Sequence, residues 1–154
     1  MATAAEFPFF AGPGPMALAH RGGTLYPPNA GIENSLRAFR NAVGLGYRHL
    51  ETDVHATADG EVVAFHDPLL DRVTDATGAV AELPYAVVTQ ARIGGTEPIP
   101  TLVELLEELP DVALNIDIKA YSAVEPTVDI VRRMGALDRV CLASFSDRRI
   151  RAVR

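Results

Sequence analysis

Two histidines, each at the end of a short strand-like run, are the residues of this chain best suited to acid–base chemistry. His20 ends the run Met16–His20 and is followed by Arg21, whose guanidinium can bind a phosphate through two parallel hydrogen bonds. His66 ends the run Glu61–His66. An imidazole changes charge near neutral pH, so a pair could take a proton from one reacting group and give one to another. Strand-end histidines are also commonly held by ordinary hydrogen bonds, and taken alone these two favour that structural interpretation.

Carboxylates in two other strand-like runs are spaced so that they share a face. Side chains of the run Val112–Lys119 alternate between an apolar and a polar face. The polar face holds Asn115, Asp117 and Lys119. The same alternation places Glu51 and Asp53 together, near the carboxyl end of their strand, where parallel sheets and barrels hold their sites. His49 and His55 share that face and are interpreted as structural or surface residues.

Bringing Glu51, Asp53 and Asp117 together would concentrate three negative charges. Like charges so close cannot all stay ionised without a positive charge beside them. A hard divalent cation with oxygen ligands would supply it. Exposure to solvent, or pairing with arginines, would satisfy the same carboxylates, and spacing alone favours neither interpretation.

The elements that must position these residues alternate between strand and helix. The first strand, Met16–His20, leads into a helix over Ser35–Leu45 for which Asn34 is the predicted cap. The next strand covers Tyr47–Thr57, and the turn after it is too short for a parallel crossover, which predicts an antiparallel hairpin over 53–66. Residues 67–98 have weak periodicity and are interpreted as a surface excursion.

The second half of the chain continues the same alternation. The predicted elements are a helix capped by Thr101 and ending near Pro110, a strand over Val112–Lys119, a helix over Val124–Met134, a strand over Val140–Phe145 and a helix from Asp147. This order predicts an α/β fold with a parallel sheet covered by helices.

Composition excludes several classes of protein. A net charge of −6 argues against general binding to nucleic acid or to a membrane surface, and a single Arg21-Gly22-Gly23 is no RNA-binding motif in an acidic chain. The single cysteine, Cys141, permits neither an internal disulfide nor a cysteine zinc cluster, and its apolar run predicts a small core residue. The N-terminal residues show no signal peptide or stable membrane anchor, so the predicted location is the cytoplasm.

Eight short motifs follow one another between His20 and Phe145. They are His20-Arg21-Gly22, Glu33-Asn34-Ser35, Glu51-Thr52-Asp53-Val54, Asp59-Gly60, His66-Asp67, Ile99-Pro100-Thr101-Leu102, Asn115-Ile116-Asp117-Ile118-Lys119 and Ser144-Phe145. Each is weak alone, but their order and the gaps between them resemble those of glycerophosphodiester phosphodiesterases. The C-terminal motifs of that family contain a tryptophan, and this sequence has none.

The resemblance implies a (β/α)8 TIM barrel of the phospholipase-C-like phosphodiesterase type. Because such a barrel typically needs about 250 residues, we expect only its N-terminal half here, about four barrel strands plus a hairpin. Residues 1–15 are predicted to be a flexible lead-in, and residues 16–154 a partial barrel with a family-like insertion at 67–98. Half a barrel leaves two sheet edges unpaired, which an oligomeric partner or a missing C-terminal half would cover.

The resemblance also implies roles for individual residues. His20 and His66 would be the acid/base pair, and Arg21 and Lys119 would bind the phosphodiester. The ligands of a divalent cation, Mg²⁺ or Ca²⁺, would be Glu51, Asp53 and Asp117. Glu33 and Asn34 would support the site. The family usually has glutamate at the position of Asp117, so weaker metal binding is the hypothesis here.

The implied reaction is metal-dependent hydrolysis of a small-molecule glycerophosphodiester to sn-glycerol 3-phosphate and an alcohol. Three rivals stay open: a catalytically impaired half-barrel that binds metal or phosphate, a zinc-dependent amide or ester hydrolase, and a purely structural α/β module. The zinc hydrolases commonly carry His-x-His on the first strand, whereas this chain has His20-Arg21-Gly22. An oxygen-only ligand set would also speak against zinc.

Overall fold

The computed structural model describes residues 3, 6–12 and 14–153. Its strands are β1 (Leu18–His20), β2 (His49–Ala56), β3 (Val62–Ala64), β4 (Arg92–Ile93), β5 (Glu97–Pro98), β6 (Ala113–Ile118) and β7 (Val140–Ala143). Its α-helices are α1 (Leu36–Gly44), α2 (Tyr85–Val88), α3 (Leu102–Glu108), α4 (Val124–Arg133) and α5 (Asp147–Val153). Short 3₁₀ helices cover Pro8–Phe10, Pro27–Asn29, Leu70–Arg72, Val80–Glu82 and Tyr121–Ala123.

The main sheet is built as the alternation predicts. Strands β1, β2, β6 and β7 lie side by side in that order and run parallel, while β3 pairs with the end of β2 in the opposite direction. The antiparallel hairpin predicted over 53–66 is therefore confirmed. Within the described residues, β1 and β7 have no further strand beside them.

Apolar residues on one face of the sheet pack with the helices into the larger buried cluster. In β6 these are Leu114, Ile116 and Ile118, all fully buried. Phe39 of α1 and Leu105 of α3 belong to the same cluster. The other face of β6 is thereby left to polar side chains, as the period of two in its sequence requires.

The helix starts depend on short local hydrogen bonds. Thr101 caps α3 in a reciprocal arrangement, accepting from the amide of Glu104 while the Glu104 carboxylate accepts from the amide of Thr101. The predicted cap of α1 is wrong: Ser35, not Asn34, accepts from the amide of Ala38. The two residue types cap equally well, but the Asn34 side chain is engaged elsewhere.

Residues 67–98 contribute no strand to the main sheet, yet part of the segment is buried. The segment contributes to a second buried cluster beside the β3 end of the sheet. Its fully buried members are Val63, Leu70, Val80, Val88 and Ile93. Leu70 and Val80 lie in 3₁₀ helices, Val88 in the short helix α2, and Val63 and Ile93 in the short strands β3 and β4. Their spacing therefore follows neither a helical nor a strand period.

The described part of the predicted lead-in packs on the start of β2. Phe9 is buried, its ring lies edge-on to the ring of His49 at 5.3 Å, and its carbonyl oxygen lies 2.9 Å from His49 Nε2. Residues 1, 2, 4, 5 and 13 lie outside the described residues, and the flexibility of the lead-in stays a prediction. No helix in the described part of the chain has both the length and the apolar content needed to cross a membrane.

Candidate active site

The register of the parallel strands lines up polar side chains in two rows near the carboxyl edge of the sheet. In one row His20 lies beside Glu51, and Glu51 lies beside Asn115. In the next row Asp53 lies beside Asp117. Neighbouring parallel strands are about 4.8 Å apart, so side chains in one row are within reach of one another.

The two rows form the floor of a cleft of about 520 Å³. Its lining residues are His20, Arg21, Glu51, Asp53, His66, Asn115, Asp117, Lys119, Ala143, Ser144 and Phe145. All the residues predicted as acid/base, phosphate-binding or metal-binding are therefore brought together in one cleft. The predicted supporting residues, Glu33 and Asn34, lie behind it and contact its walls.

The loop after β1 is held in a strained conformation that turns its backbone toward the cleft. Arg21 has a φ of 49°, and its amide donates to Glu51 Oε2 at 3.0 Å. Gly22 follows with a φ of 83°, where a Cβ would lie 2.9 Å from the Cβ of Ala38 and 3.0 Å from its backbone carbon. Only glycine permits this approach to α1.

Arg21 is engaged with carboxylates. Its Nη1 donates to Glu33 Oε1 at 3.2 Å, and its Nε lies 3.2 Å from Asp53 Oδ2 without being aimed at it. The side chain is held at the cleft wall between the two acids. Its guanidinium is positioned to meet an anion that enters.

Lys119 bridges the second row of the cleft. Its Nζ lies 2.7 Å from Asp117 Oδ2 and 2.9 Å from Asp53 Oδ1. Burial opposes the positive charge, but hydrogen bonds with these two carboxylates outweigh it and raise the pKa of the Lys119 ammonium group. The second oxygen of Asp117, Oδ1, is buried and has no hydrogen-bond partner.

Among the acids of the cleft, Glu51 has the least positive charge close to it. Burial, followed by the nearby Asp53 charge, raises the pKa of its carboxyl from 4.5 to about 7, against the lowering effect of the Arg21 amide. The nearest side-chain cation is His20, whose Nε2 lies 3.9 Å from Glu51 Oε2 and which is charged only when protonated. The cleft therefore holds more negative charge than its own cations neutralise.

These acids suit a hard divalent cation by donor chemistry. Their donors are oxygens, one of which, Asp117 Oδ1, is buried and unpartnered, and Glu51 lacks a strong counter-charge. Within the described residues no three histidine, cysteine or acidic side chains already stand in a metal-binding arrangement. The Lys119 ammonium occupies the space between Asp53 and Asp117, so binding an ion would rearrange these side chains.

The histidines differ in what holds them. His66 Nδ1 lies 2.5 Å from Asp67 Oδ1, whereas His20 is 62% exposed in its side chain. His55 Nε2 lies 3.1 Å from the carbonyl oxygen of His66, and burial lowers the pKa of this imidazole. His49 faces Phe9, at the other end of the strand, so only two histidines line the described cleft.

Asn34 supports the site by orienting Asp53. Its Nδ2 donates to Asp53 Oδ2 at 3.1 Å, and its Oδ1 accepts from the Thr52 hydroxyl at 2.9 Å. Its φ of 60° turns the side chain inward, which is why the role of helix cap passes to Ser35. Asparagine tolerates this left-handed conformation better than most residues.

Several residues at the site were not predicted from sequence. Asp67 belongs to the motif His66-Asp67, and Arg72, which contacts it, lies in the weakly periodic segment. Phe145 is 95% exposed at the cleft, with Lys119 Nζ 5.7 Å from its ring centroid. Ser144 accepts from Arg149 Nε at 2.6 Å and donates to the carbonyl oxygen of Ile118. Of these residues only Asp67 could have been picked out from the sequence, because it directly follows His66.

Parallel strands alternating with helices, and a polar cleft at their carboxyl ends, are the arrangement expected of the first half of a (β/α)8 barrel. Residues 20–153 match the model of the glycerophosphoryl diester phosphodiesterase family, and the chain belongs to this family. The family and barrel class inferred from the motif order are thus confirmed.

Individual relatives agree with this assignment. A probable glycerophosphodiester phosphodiesterase 2 of Mycobacterium tuberculosis is 47% identical over 138 residues, which cover 90% of this chain and 51% of that protein. A glycerophosphodiester phosphodiesterase of Caldanaerobacter subterraneus is 30% identical, with 90% of this chain and 61% of that protein covered. The chain therefore spans about half to three-fifths of the length of these curated relatives.

Solved structures show the same fold. The glycerophosphodiester phosphodiesterase of Agrobacterium tumefaciens superposes with a TM-score of 0.82 at 27% identity, covering 90% of this chain and 61% of that one. A second structure is that of a phosphodiesterase of Oleispira antarctica in complex with the product sn-glycerol 3-phosphate. It superposes with a TM-score of 0.80 at 28% identity, covering 90% of this chain and 60% of that one.

Proposed function

We propose that this chain carries the catalytic face of a metal-dependent phosphodiesterase that hydrolyses glycerophosphodiesters to sn-glycerol 3-phosphate and an alcohol. The observation that carries the proposal is the convergence of two histidines, three carboxylates, an arginine and a lysine in one cleft. The Oleispira antarctica relative, bound to sn-glycerol 3-phosphate, supports the substrate class.

Binding of the phosphodiester would depend on Arg21 and Lys119. Both are cations at the cleft wall, already surrounded by carboxylates that fix their positions. Preorganised cations stabilise charge that develops on the phosphoryl oxygens more effectively than mobile ones. Arg21 can offer two parallel N–H groups to a phosphate, and Lys119 a single ammonium.

A divalent cation, Mg²⁺ or Ca²⁺, would be held by Glu51, Asp53 and Asp117. The chemistry supplied there would be that of a Lewis acid for a phosphoryl oxygen. The charge of the cation would also offset the burial and the nearby Asp53 charge that raise the pKa of Glu51.

Proton transfer would be divided between the two histidines of the cleft. One imidazole takes a proton from the attacking water as its oxygen bonds to phosphorus; if a neighbouring substrate hydroxyl attacks first, the cyclic phosphate that forms is opened by water in the same way. The other gives a proton to the alcohol oxygen as its bond to phosphorus breaks. His20 and His66 thus exchange protonation states in the reaction, and a second proton exchange with solvent restores both.

The chain's turnover of a chromogenic substrate, the 4-nitrophenyl ester of sn-glycerol 3-phosphate, tests the proposal. We expect 4-nitrophenol and sn-glycerol 3-phosphate in equal amounts when Mg²⁺ or Ca²⁺ is present, and neither in a chelator. Release of glycerol and 4-nitrophenyl phosphate instead would mean that the other ester bond is cut, and would contradict the proposed reaction.

A second candidate function is binding without turnover. It is favoured by the open outer strands β1 and β7 of the described sheet and by the half to three-fifths of the relatives' length that the chain spans. A covering C-terminal half or a second copy would then be needed for catalysis. Calorimetric binding of sn-glycerol 3-phosphate without product formation would support this candidate, whereas equal turnover by the isolated chain and by a version extended with a relative's C-terminal half would exclude it.

A further inference from the structure

His66 is the cleft residue with the most ordered support. Its Nδ1 lies 2.5 Å from Asp67 Oδ1. An ionised carboxylate can only accept a hydrogen bond, so Nδ1 must carry the proton. In the neutral ring Nε2 then has the free lone pair, and it is the nitrogen left for the cleft.

Arg72 holds the Asp67 carboxylate in place by contacting both of its oxygens. Its Nε donates to Oδ2, and its Nη2 lies 3.2 Å from Oδ1. This hydrogen bonding from Arg72, more than that from His66, lowers the pKa of the Asp67 carboxyl to about 2. Asp67 is therefore an ionised acceptor at neutral pH.

The other side of the Arg72 guanidinium is bound as well. Nη2 lies 2.6 Å from Glu33 Oε1 and Nη1 lies 3.4 Å from Glu33 Oε2. Glu33 in turn accepts from Arg21 Nη1. Arg72 thus joins the segment that follows β3 to the loop that follows β1, across the back of the cleft.

The position of Arg72 is set by the 67–98 segment. It ends the 3₁₀ helix Leu70–Arg72, in which Leu70 is fully buried in the second cluster. The Leu70 amide donates to the Gly78 carbonyl oxygen at 3.0 Å, which fixes the start of that helix. Arg72 is therefore held by a segment that contributes no strand to the main sheet.

We propose that Arg72 is a positioning residue, which holds His66 through Asp67 with Nδ1 protonated and Nε2 free for the cleft. The side chain of Arg72 is 50% exposed, and exposed ion pairs contribute only about 0–1 kcal/mol to stability. Arg72 contacts both oxygens of Asp67 and both oxygens of Glu33, and such paired contacts fix the orientation of a carboxylate. The main effect of Arg72 is therefore on the position of Asp67 and not on stability. The catalytic consequence rests on the function proposed above, whereas the ring geometry does not.

The tautomer of His66 tests the inference directly. Nitrogen NMR of the ¹⁵N-histidine-labelled chain, above the pH range in which the ring titrates, should show Nδ1 protonated and Nε2 unprotonated. His66 is assigned by the signals lost in His66→Gln. Arg72→Gln should move the ring toward the Nε2-protonated tautomer, and Arg72→Lys should give a smaller shift because lysine keeps the charge but not the planar fork.

Arg40→Gln is the matched control. Arg40 forms an exposed pair with Glu108, is 56% exposed in its side chain, and does not line the cleft. Its removal should leave the His66 signals unchanged. An Nε2-protonated ring in the parent chain, or a tautomer unaffected by Arg72→Gln in a folded variant, would overturn the inference.

Kinetics separate this inference from the proposed function. Arg72→Gln should lower kcat by up to about 10²-fold with little change in KM, the scale expected for a misplaced catalytic group. An unchanged kcat in Arg72→Gln would overturn the inference while leaving the proposed function intact. An inactive parent chain with the expected tautomer would count against the function alone.

Discussion

The two faces of β6 show how differently one strand can use alternate residues. Leu114, Ile116 and Ile118 are fully buried among apolar side chains. Asp117, between the last two, is also buried, yet it faces Lys119 and keeps one oxygen without a partner. The apolar face lowers the free energy of the fold, whereas the polar face is costly to bury, and the proposed ligand binding would account for that cost.

This comparison predicts two separable kinds of variant. Substitutions on the apolar face should change the free energy of unfolding and leave the activity of each folded molecule unaltered. Substitutions on the cleft face should change activity or ion binding and leave stability the same or higher.

The largest effect is expected from the cleft histidines. His20→Ala or His66→Ala should lower kcat by about 10²–10⁴-fold with the fold intact, because each removes an acid–base group. Circular dichroism checks the fold, and 4-nitrophenol release gives the rate. His49→Ala is the control, since His49 contacts Phe9 away from the cleft. Near-parent rates in both cleft variants would contradict the assignment.

The next effect tests the opposite face. Ile116→Ala should lower the free energy of unfolding by about 2–5 kcal/mol, because it leaves a cavity in the larger cluster, where Ile116 is fully buried. Denaturant unfolding measures the loss, and activity per folded molecule should match the parent. A fall in activity beyond the unfolded fraction would show that the two faces are not separable.

Glu51→Gln should stabilise the chain in a chelator at alkaline pH. Burial raises the pKa of the folded-state carboxyl from 4.5 to about 7, so between these values the folded state binds more protons than the unfolded state. The parent's stability should therefore fall as pH rises through that window. Above it, we expect glutamine to add about 1–3 kcal/mol.

Chemical denaturation on both sides of the window measures this effect. The gain should vanish below about pH 4, where glutamate is protonated in both states. If Glu51→Gln and the parent were equally stable at every pH, groups of the protein would already balance the charge of the Glu51 carboxylate without a bound ion.

Asp117→Glu is expected to have the smallest effect. The family resemblance implies glutamate at this position, so we expect the longer side chain to tighten divalent-ion binding several-fold, on the order of 1 kcal/mol. Calorimetric titration with Mg²⁺ and Ca²⁺ measures the affinity. Equal affinity in the parent and the variant would remove the hypothesis that Asp117 weakens the site.

Local patterns predicted much of the fold and of the cleft. The period of two placed Asn115, Asp117 and Lys119 on one face, and the short turn after Thr57 predicted the antiparallel hairpin. Asn34 was misjudged because Asn and Ser are equally good caps, and its partners Thr52 and Asp53 are distant in sequence.

Arg72 could not have been found in this way. Its partners are five and thirty-nine residues away, and it lies in a segment whose buried residues follow no period. The buried unpartnered oxygen of Asp117 likewise appears only when the strands are assembled. Features that depend on side chains from separate elements therefore require the structure.

The ion dependence of sn-glycerol 3-phosphate formation by this chain tests the central claim most directly. Phosphorus NMR can follow a glycerophosphodiester in the parent, in Glu51→Gln and in the Arg40→Gln control, with Mg²⁺, with Ca²⁺ and with a chelator. We expect the parent and Arg40→Gln to form product only with an ion, and Glu51→Gln to form little under any condition. Product formation in the chelator, or an undiminished rate in Glu51→Gln, would contradict a metal-dependent site built on these carboxylates.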